Sequence, residues 1–344
     1  MAQADVHAAM RSNDHRASSL LALLLCLLAL PLSAATATGS AVPLAPPDLA
    51  IKHRLLLADQ GACRLMLVDQ NDPTKDWTVQ LPPKDYGHDL QLIGNDQVLV
   101  SIPNGWQERS LKDGSLVKER TDCSAVISVQ RLADGSTLVA GQVPGSTKGS
   151  LLSIIGPDGA FRSSIEVAGA KGPRMVRVLA NGSYLIALGN RIIEAKPDGS
   201  IAWEVPLKHN NGFWKALRQA DGTTVATTGH DLALVHIAAD GHTIRRTAAS
   251  DMPAEVQLFY PTGLQVLANG HRVLTNFTGH GNGNGTKGIQ LLEFDVDGKL
   301  VWYWKQDPAR VSSLIAVIVL DGLDTTKLHD ERTGIQAPVE TAAK

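Results

Sequence analysis

Two dipeptide turn signals alternate along this chain and recur five times between residues 87 and 305, and the short apolar stretches between them suit little except β-hairpins. The first signal is Asp134-Gly135, Asn181-Gly182, Asp221-Gly222 and Asn269-Gly270, opened by a looser Gly94-Asn95-Asp96. The second is Asp113-Gly114, Asp158-Gly159, Asp198-Gly199, Asp240-Gly241 and Asp297-Gly298. Asn-Gly and Asp-Gly supply the positive φ that a two-residue hairpin turn needs. Two turns per copy give four strands, A to D; in the third copy they are expected at 175–179, 183–188, 191–196 and 200–205. Spacings run from 40 residues (Asp158 to Asp198) to 57 (Asp240 to Asp297), the period of a propeller blade.

Complete copies begin near His88, Ala125, Arg174, Phe213 and Pro261, which makes five. After the fifth, residues 313–320 (SLIAVIVL) read as one more strand A, and then the pattern stops. Three unassigned strands lie at the other end: 53–58 (HRLLLA), 63–69 (CRLMLVD) and 76–81 (DWTVQL). A ring must close or leave sticky strand edges. The expected fold is therefore all-β, a six-bladed β-propeller over 52–325 closed by one C-terminal strand plus three N-terminal strands, with a C-terminal tail at 326–344. An open stack of hairpins or a sandwich is the alternative. Trp77, Trp203 and Trp302 fall on D strands and are expected to pack against neighbouring blades.

Arg16 precedes an apolar run at 20–30, and Pro31 leads to the small residues Ala35-Thr36-Ala37. This is the layout of a secretory signal peptide, 1–37, followed by a Pro- and Ala-rich leader at 38–51. The run is short of the roughly 20 residues that span a bilayer, though an uncleaved anchor is the alternative. The expected location is periplasmic or secreted, with no stable membrane insertion after cleavage. Cys63 and Cys123 would then meet an oxidising compartment, where a disulfide between them and two separate thiols are both open. The net charge of -2 and the lack of a basic tract give nucleic acid no footprint. A monomer is expected.

In such a ring the A-B and C-D turns share one face, and the B-C and D-A loops share the other. The turns are nearly uniform and the loops are not, so a site belongs on the loop face. Candidates there for ligand binding are Tyr86, Asp89, Trp106, Arg174, Trp214, Lys215, His230, Tyr260 and His280, with His88 as the candidate catalytic residue. Aromatic rings stack on ligands, Arg and Lys hold anions, and histidines move protons. The glycine-rich loop from Gly279 to Gly285 can be a flexible lid or a plain linker. It returns into a strand, which argues against a phosphate cradle. Asp295-Val296-Asp297-Gly298 lacks the glutamate of a calcium loop. No Gly-x-Ser-x-Gly, His-Glu-x-x-His, Rossmann or P-loop fingerprint occurs, and no cofactor or metal is expected.

The stretches Tyr86-Gly87-His88-Asp89-Leu90-Gln91-Leu92 and Val178-Leu179-Ala180-Asn181-Gly182-Ser183-Tyr184-Leu185, with NRIIEAKPDGSIAW from Asn190 to Trp203, resemble the blade repeats of bacterial arylsulfate sulfotransferase-like and PQQ-like propellers. The resemblance covers about residues 52 to 325 and implies a propeller scaffold. It also implies a channel-facing histidine that accepts sulfate covalently, a role that His88 would take, with Arg174, His230 and His280 matching by blade position only. Two functions follow. One is an exported propeller binding a small molecule, glycan or protein through its loop face and channel mouth. The other is a group-transfer enzyme, or a lyase or hydrolase, using a channel-facing histidine.

Overall fold

A computed structural model of the chain describes residues 50–82, 89–207, 212–253 and 255–340. Six four-stranded antiparallel sheets form a six-bladed β-propeller. Blade I comprises Leu90–Gly94, Gln97–Ile102, Gly105–Ser110 and Leu116–Arg120; blade II, Ser124–Arg131, Thr137–Gln142, Leu152–Ile155 and Phe161–Ile165. Blade III comprises Pro173–Val178, Tyr184–Leu188, Arg191–Ala195 and Ile201–Pro206; blade IV, Phe213–Arg218, Thr224–Thr228, Ala233–Ile237 and Thr243–Ala248. Blade V comprises Pro261–Val266, Arg272–Asn276, Leu291–Phe294 and Leu300–Trp304. In blade VI the C-terminal Leu314–Val319 is strand A, beside Arg54–Asp59, Arg64–Asp69 and Trp77–Gln80 from the N-terminal side.

The closing strands pair Leu55 with Val319, Leu56 with Ile318 and Leu57 with Val317. The Asp59 carboxylate accepts the backbone N–H groups of Ser312 (2.9 Å) and Ser313 (2.8 Å), fixing the register at one end. Closure is driven by the seams. Six hydrophobic clusters each fill the gap between two successive blades, and the blade VI/I seam, with Leu56, Leu65, Leu90, Leu92 and Ile318, resembles the other five in composition. Each fully buried Leu or Val contributes about 1.5–3 kcal/mol over an exposed one, so a seam of such residues outweighs any single polar contact in the ring. Trp77 and Trp203 reach across seams from D strands, donating their indole N–H to the carbonyls of Leu111 and Ala239 at 2.9 Å each. Trp302 is buried at the blade V/VI seam with His53 edge-on, ring centres 4.8 Å apart.

The turns differ in type from the sequence expectation. Only the first is a two-residue turn, with Asn95 and Asp96 both at positive φ (53° and 54°). In the others the Gly alone is left-handed, as at Gly135 (83°) and Gly199 (82°), and the loop is longer: Leu132 N–H bonds the Ser136 carbonyl while Gly135 N–H bonds that of Leu132. The preceding Asp or Asn earns its place by capping: Asp134 accepts from Ser136 N–H at 2.9 Å and its hydroxyl at 2.5 Å, and Asn181, Asp198 and Asp221 repeat the contact with the residue two ahead.

The tail continues the structure rather than leaving it. Its chain bridges Ile93 through Leu328 and Val266 through Ile335, and His329–Asp330 pairs with Ala337–Pro338. It thereby crosses the turn-face end of the channel from blade I to blade V.

Candidate functional site

Five of the inner strands carry a register shift near their starts; the one in blade II falls between Ser124 and Ser128, and the other four lie around the loop-face mouth. Those four fall between Pro173 and Val176, between Phe213 and Ala216, between Pro261 and Leu264, and, in blade VI, beside Ile315, where Asp59 pairs with Leu314 and Ala58 with Ala316. A bulge breaks strict alternation and re-aims a side chain. Arg174, Trp214 and Ile315 occupy the bulged positions, and all three line one cavity of about 440 Å³.

Around that cavity the rings meet edge to face. The Arg174 guanidinium lies 5.0 Å over the Trp214 ring, and Trp214 meets Tyr260 with centres 5.8 Å apart at 83°. Tyr260 in turn packs on His230 (4.7 Å, 84°) and Phe277 (6.4 Å), and Phe277 on His280 (5.1 Å). Trp214 and Phe277 are buried, Arg174 and Tyr260 half-buried, and the two histidines exposed at the rim. Burial raises the Tyr260 phenol above its ordinary value, opposed by the nearby Arg174 charge. Gly229 is required by packing: a Cβ there would sit 2.1 Å from a Tyr260 ring carbon. Among the described residues, the cavity's lining holds one guanidinium, two imidazoles and no carboxylate.

The glycine-rich loop is a wall and not a loose lid. Asn284, buried beneath it, donates to the carbonyls of Gly279 (3.2 Å), His280 (3.0 Å) and Gly281 (2.7 Å). Ser313 accepts the N–H groups of Thr278 and Gly279, and Ser312 donates to Gly281. His280 is thus held at a fixed place beside Phe277.

Arg174, Trp214, His230, Tyr260 and His280 come together as the sequence suggested, with Gln60, Phe259 and Phe277 completing the walls. Tyr86 and His88 lie outside the described residues. Two expectations need correction. Trp106 stands in strand C of blade I, under Arg120 (5.5 Å), and lines a separate cavity of about 340 Å³ between blades I and II. Asp89 and Lys215 are sealed in the channel, 2% and 7% exposed, and engaged with charges there. Of the two states open to Cys63 and Cys123, the structure has the separate thiols: Cys63 caps a helical turn at φ 53°, and Cys123 is buried. Burial pushes the Cys123 thiol up to about 11, and the Arg120 charge only partly offsets it, so the group stays protonated and unreactive at neutral pH.

What sequence reasoning missed is the channel's charge network. Arg177 grips Asp89 with both terminal nitrogens (2.9 and 2.6 Å) and donates its Nε to Glu331 (2.5 Å), while Lys215 Nζ donates to the other Glu331 oxygen (2.8 Å). Burial opposes both carboxylates' charge, yet Lys215 and Arg177 hold Glu331, and Arg177 holds Asp89, below the usual carboxylate range. The available signal was a cation inside an apolar inner strand, Met175-Val176-Arg177-Val178.

No protein-family model matches the chain, and no curated protein does. Among solved structures it is similar to a protein of unknown function from Bacteroides caccae, with TM-score 0.63 and 21% identity over 78% of this chain and 98% of that one. It is also similar to a chain of the nidogen/laminin complex, with TM-score 0.54 and 14% identity over 78% and 97%. Virginiamycin B lyase from Staphylococcus aureus matches at TM-score 0.49 and 16% identity over 75% and 86%. At these identities the first two likenesses are of fold, and that fold is the β-propeller.

Proposed function

We propose that this chain is an exported propeller that binds a small, flat, anionic molecule, such as an aryl carboxylate or aryl sulfate, in the loop-face mouth. One observation carries the reading: a cavity of about 440 Å³ walled by Trp214, Tyr260 and Phe277, with the Arg174 guanidinium among its described lining residues. The volume falls within the usual range for small-molecule sites, roughly 300–1,000 Å³. Aromatic edges would take the ring, and the guanidinium fork the acid group. A glycan or protein partner would meet the same face. Export rests on the apolar run at 20–30 and the small residues after it, with cleavage leaving a chain that starts near Thr38 in the periplasm or medium.

Equilibrium binding of aryl sulfates, aryl carboxylates and their neutral parents tests this. The anions should bind at least tenfold more tightly than the neutral parents, and Arg174→Ala should erase the gap. Equal affinity for charged and neutral members would overturn it.

The exposed imidazoles of His230 and His280 on that rim favour a second reading, sulfate transfer between phenols. Turnover of an aryl sulfate with a phenol acceptor, lost in His88→Ala, His230→Ala or His280→Ala, would establish it. Binding without turnover would leave the binding reading alone.

A further inference from the structure

The turn-face end of the channel holds a second, differently built place for an anion. Arg177 and Lys215 enter the channel from the inner strands of blades III and IV, and among the described residues the ring offers one carboxylate, Asp89, to balance them. That carboxylate is already committed. It takes both terminal nitrogens of Arg177 and also accepts from the Ser128 hydroxyl (2.5 Å) and the Val129 N–H (3.2 Å). At the corresponding inner-strand positions blades I, II and V carry glutamines, whose amides grip the next blade's backbone: Gln91 on Arg131, Gln130 on Val178, Gln265 on Val319. Blade III has Arg177 there, and its guanidinium Nε points to Glu331. The ring alone thus leaves one buried positive charge uncompensated, and burying a lone charge is costly.

Glu331 supplies the missing charge from outside the six sheets. It sits in the turn of a short hairpin held to the ring by the bridges Ile93–Leu328 and Val266–Ile335, and by Gln91 donating to the His329 carbonyl at 2.8 Å. We propose that the turn-face channel of the ring is a binding site for a carboxylate, that Glu331 is its tethered occupant, and that a free small carboxylate competes with the tail for Arg177 and Lys215. The tail is held by these contacts, by the N–H groups of Asn95 and Asp96 donating to the carbonyls of Thr326 and Thr325, and by the burial of residues 328–331; no seam depends on it, so the tail is the part that leaves with the ring intact.

Acetate and the full-length chain test it. With Glu331→Ala, acetate added against chloride at constant ionic strength should raise the melting temperature saturably, by about 2–4 °C. The wild type should show no such rise, and adding Arg177→Ala should remove it. An acetate-independent melting temperature in folded Glu331→Ala would overturn the proposal, because it would mean that Lys215 sheds its proton instead of recruiting an anion. Should Glu331→Ala fail to fold, hydrogen exchange of the wild type decides. Exchange at Leu328 and Val339 should accelerate with acetate while amides of the inner strands stay protected. Tail amides that exchange only together with the inner strands, whatever the acetate concentration, would overturn it.

Discussion

The two ends of the channel are made from the same six inner strands, yet one opens into a cavity lined by Arg174 and aromatic rings, and the other is shut over four buried charged side chains. At the loop face, bulges turn Arg174 and Trp214 toward a cavity that water reaches. Deeper in the channel, Arg177 from a regularly paired stretch and Lys215 from the same bulge as Trp214 meet Asp89 and Glu331, with all four buried. A bulge re-aims neighbouring side chains to different depths, so one irregularity sends Trp214 to the mouth and Lys215 to the seal. Function should therefore depend on the upper set of residues, and stability on the lower.

The sharpest way to break that division is Arg177→Ala. It leaves buried Asp89 without its cation while Lys215 still holds Glu331, which should cost about 3–5 kcal/mol in urea unfolding while leaving ligand affinity at the mouth within about twofold. A large loss of affinity with little loss of stability would reverse the assignment. Arg174→Ala should do the opposite, weakening an aryl anion about tenfold, or about 1.4 kcal/mol, with a change in unfolding free energy near zero. Gly229→Ala sits between the two: the added methyl must displace the Tyr260 ring, for about 1–3 kcal/mol of strain, and ligand binding should weaken with it.

pH sharpens the comparison further, through the closing seam. His53, on the N-terminal side, bonds Asp321 beyond the C-terminal strand (2.5 Å) and Glu293 of blade V (2.9 Å). Burial works against its charge, but the two carboxylates outweigh that and raise it from 6.5 to about 9. A raised value stabilises fully below the unfolded value and is lost as pH climbs through the folded one. Stability should accordingly fall between about pH 6.5 and 9 in the wild type, and the slope should flatten in His53→Gln. An unchanged slope would remove His53 from the closure. The smallest effect is expected at the rim of the ring, where Trp77→Phe removes the bond to Leu111 for about 1 kcal/mol, with no effect on binding.

The ring was legible in the sequence because its determinants are local. The Asp or Asn before the Gly caps the residue two ahead in every repeated turn but Asp297-Gly298, where Asp295 does it, each Gly takes a left-handed turn, and 313–320 (SLIAVIVL) is a strand A with no B, C or D after it. Half of the mouth followed from loop placement, which brought Arg174, Trp214, His230, Tyr260 and His280 onto one face. The rest depended on backbone geometry with no residue signature. The shift between Phe213 and Ala216 leaves Trp214 in the mouth while its neighbour Lys215 joins the sealed network, and nothing in Phe213-Trp214-Lys215 announces it. Glu331 was hidden for a different reason: its tail makes only a two-residue ladder, too short for any alternation to show. Trp106 misled because its loop-side position in the sequence coincides with a side chain turned into the flank of blade II.

The most direct measurement is a crystal structure of the protein soaked with an aryl sulfonate, an unreactive relative of the sulfates. The account predicts the sulfonate within hydrogen-bond distance of the Arg174 guanidinium and the ring against Trp214 and Tyr260. Density instead in the flank cavity beneath Trp106, or none at the mouth at a saturating concentration, would contradict it.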